Sequence, residues 1–125
     1  MRVERVRERA YRILIVEDDS SSANALAALL AEEGYEPLAV AAGAEAMARL
    51  ADGRYDLLLL EPSLRDQTGP AVLRCAQQLK TPTIIITTDP ACESSGMRDA
   101  SIRGFLYKPF RVPELLDLLT TTLRR

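Results

Sequence analysis

The chain has 125 residues, 47% of them hydrophobic and 27% charged, with a formal net charge of -2 and no histidine. That length buries a continuous core in one domain without disulfides or a structural metal, and the charge balance gives no general attraction to nucleic acid. Without histidine, a Cys/His zinc site and a Ser-His or Cys-His catalytic pair are excluded, and Cys75 and Cys92 lack metal-ligand spacing and read as small packing residues.

Taken in chain order, residues 1–11 alternate arginine and glutamate without a long apolar face. They read as an N-terminal extension that could lengthen the first strand, form a solvated helix or be disordered. Arg12–Val16 (RILIV) is a short β-branched run ending abruptly in acids, the pattern of a central strand buried on both faces. Residues 20–33 follow with Ala25, Leu26, Leu29 and Leu30 at helical spacing, so Ser20 or Ser21 is the expected cap and Gly34 the stop. Glu36–Val40 reads as a strand, residues 44–50 as a helix ending near Gly53, and residues 56–60 (DLLLL) as a second fully buried strand. Residues 70–79 read as a helix with Pro70 in its first turn, and Thr83–Thr87 (TIIIT) as another strand. Residues 89–102 are the weak link, because Ser94, Ser95 and Gly96 interrupt the helical pattern, and a short or mobile fourth helix is expected. A short strand at residues 105–107 precedes a closing helix at 113–123, with Leu115, Leu116, Leu118 and Leu119 buried and Arg124 and Arg125 near its negative end.

Strands alternating with helices through short loops predict a doubly wound α/β domain over residues 12–125, with five parallel strands and helices on both faces. In such sheets chemistry sits outside the carboxyl ends of the strands. Those ends carry Glu17, Asp18 and Asp19 after the first strand, Glu61 after the third, Thr87 and Thr88 after the fourth, and Lys108 before Pro109 after the fifth. Carboxylates gathered at one mouth repel one another and persist only with a cation between them, either a hard ion such as Mg²⁺ or the ammonium of Lys108. A threonine hydroxyl and an ammonium beside them suit an anionic oxygen. Taken singly, each has a plainer explanation: the acids as a helix-entry cap, the threonines as strand-end hydrogen bonding, Lys108 as a surface lysine, Phe105 as core.

The segments ILIVEDD (13–19), YDLLLLE followed by Gly69, PTIIITT (82–88) and GFLYKPF (104–110) resemble the landmarks of response-regulator receiver domains of two-component signalling, across nearly the whole chain from Arg12. The resemblance implies a flavodoxin-like sheet of strand order 2-1-3-4-5 and a cis bond before Pro109. It implies Mg²⁺ ligation by Glu17 and Asp18, with Glu61 and the backbone of Ser63. It also makes Thr87 the switch hydroxyl and a phosphate contact, Lys108 the phosphate-contacting lysine, and Phe105 the aromatic that changes rotamer on activation.

The departures are Glu61, eight residues before Gly69, where the family has its phosphoacceptor aspartate, then Pro62, and Arg65 where a proline is usual. One extra methylene moves a carboxylate by on the order of 1 Å, enough to spoil in-line attack, so poor phosphorylation is expected and Mg²⁺ held weakly or not at all. Three readings of Glu61 stay open. It reaches Thr87 and Lys108 and imitates an acyl phosphate; it pairs with Lys108 and leaves a static domain; or residual phosphorylation occurs on it or on Asp66, otherwise a loop residue.

The expected function is that of a receiver or pseudo-receiver, not an enzyme, whose output is binding a kinase or effector through the fourth helix, fifth strand and fifth helix. A homodimer is also admitted, with no direct nucleic-acid contact. No output domain follows Arg125, so the chain is expected to act alone, within a longer protein, or by pairing with a partner. A Mg²⁺-dependent phosphohydrolase of the haloacid-dehalogenase type is the alternative, opposed by Glu17 in the nucleophile position and the lack of a cap domain. A nucleotide- or flavin-binding domain ranks last, lacking a Gly-rich or hydroxyl-rich phosphate loop. No apolar stretch reaches the roughly 18 residues of a membrane span, and the charged start is not signal-like, so a cytoplasmic location with reduced thiols and no membrane contact is expected.

Overall fold

A strand buried on both faces needs an unbroken apolar stretch, and three runs in this chain supply one, at residues 13–16, 57–60 and 84–86. The computed structural model describes residues 10–92 and 99–124. Its elements are β1 (Arg12–Val16), α1 (Ser20–Glu32), β2 (Glu36–Val40), α2 (Gly43–Asp52), β3 (Leu57–Leu60), α3 (Gly69–Leu79), β4 (Thr83–Thr87), a 3₁₀ turn (Pro90–Cys92), β5 (Ile102–Tyr107) and α4 (Val112–Leu123). The strands form one parallel sheet in the order β2-β1-β3-β4-β5, the expected doubly wound arrangement. The central strands β1, β3 and β4 are the three apolar runs, and the edge strands β2 and β5 are more exposed.

Alternate residues of each central strand serve opposite layers, as the period of two in a strand requires. Leu14, Val16, Leu58, Leu60 and Ile85 pack against Ala46 and Leu50 of α2 and Val72, Leu73 and Ala76 of α3. Ile13, Ile15, Leu57, Leu59, Ile84 and Ile86 pack against Leu26 and Leu30 of α1 and Leu115 and Leu119 of α4. Leu116 and Leu118, expected in the core, are partly buried at its margin. Cys92 packs in the first layer and Cys75 against it.

The cap of α1 is Asp19 rather than Ser20 or Ser21: its carboxylate accepts the Ser22 amide at 3.3 Å and the Ser22 hydroxyl at 2.6 Å. Aspartate and serine both cap well, and the charged acceptor at the positive helix end takes the position. Gly34, at φ +92°, ends the helix as expected. The fifth strand begins at Ile102 instead of residue 105, because Ile102 already pairs with Thr83 ahead of a register shift opposite Thr83 and Ile84. Of the segment expected as a fourth helix, the 3₁₀ turn is described, with Asp89 accepting the Ala91 amide at 2.9 Å; residues 93–98 lie outside the described residues. The N-terminal extension is described only at residues 10 and 11, and Arg125 is not described.

Candidate functional site

Parallel pairing aligns the carboxyl ends of β1, β3, β4 and β5 along one rim of the sheet. Glu17 follows β1 and donates its amide to the Val40 carbonyl at 3.1 Å, and Glu61 follows β3 and donates to the Val16 carbonyl at 3.0 Å. Lys108 follows β5, donating its amide to the Thr87 carbonyl at 2.9 Å, and the bond from Lys108 to Pro109 is cis, as the resemblance implied. Gly69 shapes the approach from β3 to α3: a Cβ there would lie 2.0 Å from the Pro62 carbonyl oxygen, so only glycine lets the loop close beside Glu61.

The side chains of Glu17, Glu61 and Lys108 converge. The Lys108 Nζ is 2.6 Å from Glu17 Oε1 and 3.1 Å from Glu61 Oε1. Both glutamates are buried. Their second oxygens are also engaged: Glu17 Oε2 accepts the Asp19 amide at 3.1 Å, and Glu61 Oε2 accepts the Ser63 amide at 3.0 Å. Burial alone would lower the Lys108 pKa, but the hydrogen bonds and charges of Glu17 and Glu61 outweigh it and hold the ammonium above its ordinary value. The lysine stem forms one wall of an apolar groove of about 460 Å³ between α1 and the start of α4, lined by Leu26, Leu29, Phe110 and Val112.

Asp18 stands apart from this trio, accepting the Arg65 amide at 2.7 Å and so tying the loop after β1 to the loop after β3. Thr87 is buried at the end of β4, where its hydroxyl accepts the Asp89 amide at 3.1 Å. Phe105 is partly buried against the layer that contains Leu60, Ile85 and Cys92, and its ring stacks at 6.5 Å on Tyr107. Asp66 caps the turn into α3 through the Thr68 amide and hydroxyl, which hold its carboxyl below the usual range. The roles of the Arg65 and Ser63 amides could not be read from the sequence, since a backbone amide carries no side-chain signature.

The carboxylates supply the hard oxygen donors that Mg²⁺ takes. As arranged, however, they do not fit a divalent ion: Lys108 occupies the space between Glu17 and Glu61, Asp18 is turned to Arg65, and among the described residues no three acidic or cysteine side chains converge as a metal cluster.

Residues 13–120 match the model of the response regulator receiver domain. The chain belongs to that family. It is 34% identical over 108 residues to the transcriptional regulatory protein DltR of Streptococcus agalactiae, covering 84% of this chain and 48% of the relative. It is 33% identical over 118 residues to the regulatory protein VanRB of Enterococcus faecalis, covering 93% of this chain and 54% of the relative. The chain thus spans about half the length of these curated relatives. Among solved structures, the response regulator TrrA of Thermotoga maritima, in complex with Mg²⁺-BeF, superposes with TM-score 0.82 at 26% identity, over 90% of this chain and 99% of that one. The chemotaxis response regulator CheY4 of Vibrio cholerae gives TM-score 0.80 at 28% identity, over 92% and 100%.

Receiver domains are generally non-enzymatic modules of two-component response regulators; they bind Mg²⁺ at the phosphorylation site and interact with kinases and effectors. Membership leaves the phosphohydrolase alternative without support. No helix among the described residues is long and apolar enough to cross a membrane.

Proposed function

We propose that this receiver domain works as a pseudo-receiver: a cytoplasmic module, not an enzyme, that signals by binding a kinase or effector protein and is not phosphorylated in the usual way. Glu61 takes the phosphoacceptor position in this reading, and Thr87, Lys108 and Phe105 take the switch and phosphate-contact positions. The observation that carries it is the engagement of both Glu61 oxygens, one by Lys108 at 3.1 Å and the other by the Ser63 amide at 3.0 Å. An oxygen held in that way is not free for in-line attack on a phosphoryl donor.

The same contacts favour the static reading of Glu61 over imitation of an acyl phosphate. Imitation needs the Thr87 hydroxyl to donate to Glu61, and the two Glu61 oxygens instead accept from Lys108 and from the Ser63 amide. A carboxylate also has one negative charge against roughly two for a phosphoryl group. Asp66, turned to Thr68, supports its reading as a loop residue. Mg²⁺ is held weakly or not at all by Glu17 and Asp18.

The proposed partner surface combines the segment after β4 with β5 and α4. It is supported by the position of β5 at the edge of the sheet and by the partly exposed Phe105 and Tyr107 on it. Residues 12–125 constitute the receiver unit and residues 1–11 an extension to it.

The test adds Mg²⁺ with beryllofluoride or acetyl phosphate to the native chain and to Glu61→Asp while the NMR signals of Thr87 and Phe105 are followed. We expect the Asp variant to respond and the native chain to stay silent. An equal response from both would sink the reading.

A further inference from the structure

We propose that the depression at the amino end of β4 and β5, bounded by Gln77, Lys80, Asp99, Ser101 and Arg103, is a binding site for inorganic phosphate, in which Asp99 selects an oxyanion that carries a proton. The site is separate from the trio of Glu17, Glu61 and Lys108. Ser101 precedes β5 and Lys108 follows it, about 20 Å apart along the strand.

The Ser101 hydroxyl is the one buried side-chain polar atom among the described residues that completes no hydrogen bond. An unsatisfied buried hydroxyl is destabilising, and an anion oxygen in the depression would give it the acceptor it lacks once the side chain turns to another staggered rotamer. Lys80 ends α3 at φ +59°, a left-handed position that glycine fills at least cost, so the lysine brings a charge that the chain reversal itself does not require. Arg103 falls at the register shift, where Thr83 pairs with Ile102 and Ile84 with Gly104, and a bulge of this kind turns the extra residue out of the ladder. Both cations line the same depression of about 400 Å³, and neither has an ion-pair partner among the described residues.

Two cations against one carboxylate leave the depression positive. The arginine fork, the lysine ammonium, the Gln77 amide and the Ser101 hydroxyl all supply donors, the set that suits a small anion with several acceptor oxygens. Asp99 provides the selection. One of its oxygens accepts the Ser101 amide at 2.7 Å, and that bond, followed by the influence of the hydroxyl beside it, holds its carboxyl below the usual range. Asp99 is therefore ionised at neutral pH and can only accept. It repels sulfate, which has no proton to give, and it accepts a hydrogen bond from phosphate, which keeps at least one proton at neutral pH.

The experiment titrates sodium phosphate, and separately sodium sulfate at matched ionic strength, into the isotope-labelled native chain, Lys80→Gln, Arg103→Gln, Asp99→Asn and Ser101→Ala, following the backbone amides. We expect saturable shifts at residues 77–81 and 99–104 and none at 61–63, with phosphate bound at about 1 mM and sulfate at least about tenfold more weakly. Lys80→Gln and Arg103→Gln should each weaken phosphate by at least about tenfold. Asp99→Asn keeps an acceptor for the Ser101 amide and should bring the two anions within about threefold of each other. Ser101→Ala should lower the affinity for phosphate while leaving the Tm in phosphate-free buffer unchanged or higher, because it removes an unsatisfied group rather than a bond. A native chain with no saturable phosphate shift overturns the proposal, and so does one that takes sulfate as tightly. Variants at Lys80 and Arg103 that bind as the native chain does overturn it as well. Should Arg103→Gln not fold, Lys80→Gln, at the exposed end of α3, decides in its place. The site stands apart from the pseudo-receiver reading: a native chain that binds phosphate here, yet responds to beryllofluoride as its Glu61→Asp variant does, sinks that reading alone.

Discussion

The two ends of the sheet treat charge in opposite ways. At the carboxyl end, Lys108, 23% exposed, lies between Glu17 and Glu61, whose side chains are 5% and 10% exposed. At the amino end, Arg12 reaches Glu36 at 3.8 Å with the two side chains 36% and 62% exposed, and its guanidinium lies 4.6 Å from the Tyr55 ring centroid. Arg124 likewise lies 5.3 Å from the Tyr35 ring centroid. Water competes for the amino-end pairs and has little access to the carboxyl-end trio, so equal losses of charge should have unequal consequences.

The largest effect should come from Lys108→Met, which strands two buried carboxylates. We expect a loss of about 3 kcal/mol in denaturant-induced unfolding, and a loss below about 1 kcal/mol would erase the contrast between the ends. Next is Gly69→Ala, whose added Cβ meets the Pro62 carbonyl oxygen at 2.0 Å. It should cost about 2 kcal/mol and shift the amide signals of residues 61–63, because the loop that positions Glu61 must give way.

A smaller effect follows from pH. The Lys108 pKa lies above its ordinary 10.5, so the stability from its pairing is complete below that value and fades as pH rises through the raised one. Stability should therefore fall more steeply on the alkaline side in the native chain than in Lys108→Met, and parallel curves would show that the lysine is not strongly held. The smallest effect belongs to the amino end: Arg12→Ala should cost under about 1 kcal/mol, lessened further by salt, and a loss equal to that of Lys108→Met would break the comparison from the other side.

How far each part could be read from the residues follows the reach of the forces involved. The central strands were legible because burial on both faces demands unbroken apolar runs, and RILIV and TIIIT have no competing explanation. The start of β5 at Ile102 was not, since Gly104 is a poor strand former held there by pairing with Ile84, and Arg103 falls at the register shift that precedes it. Asp19 was lost among five consecutive good capping residues, Asp18 to Ser22, where only the folded loop selects one.

By itself, then, the sequence determined the alternation of strands and helices, the identities of the strand-end groups and the replacement at Glu61, because period, burial and residue type are properties of short segments. Tertiary structure alone decided that Lys108 bridges Glu17 and Glu61, that Asp18 turns to the Arg65 amide, and that the Thr87 hydroxyl goes to Asp89. Those choices join residues up to 91 positions apart, as Lys108 and Glu17 are. Which donor meets which acceptor at such separations depends on loop paths and on the exclusion of water, and neither is written in any one stretch of the chain.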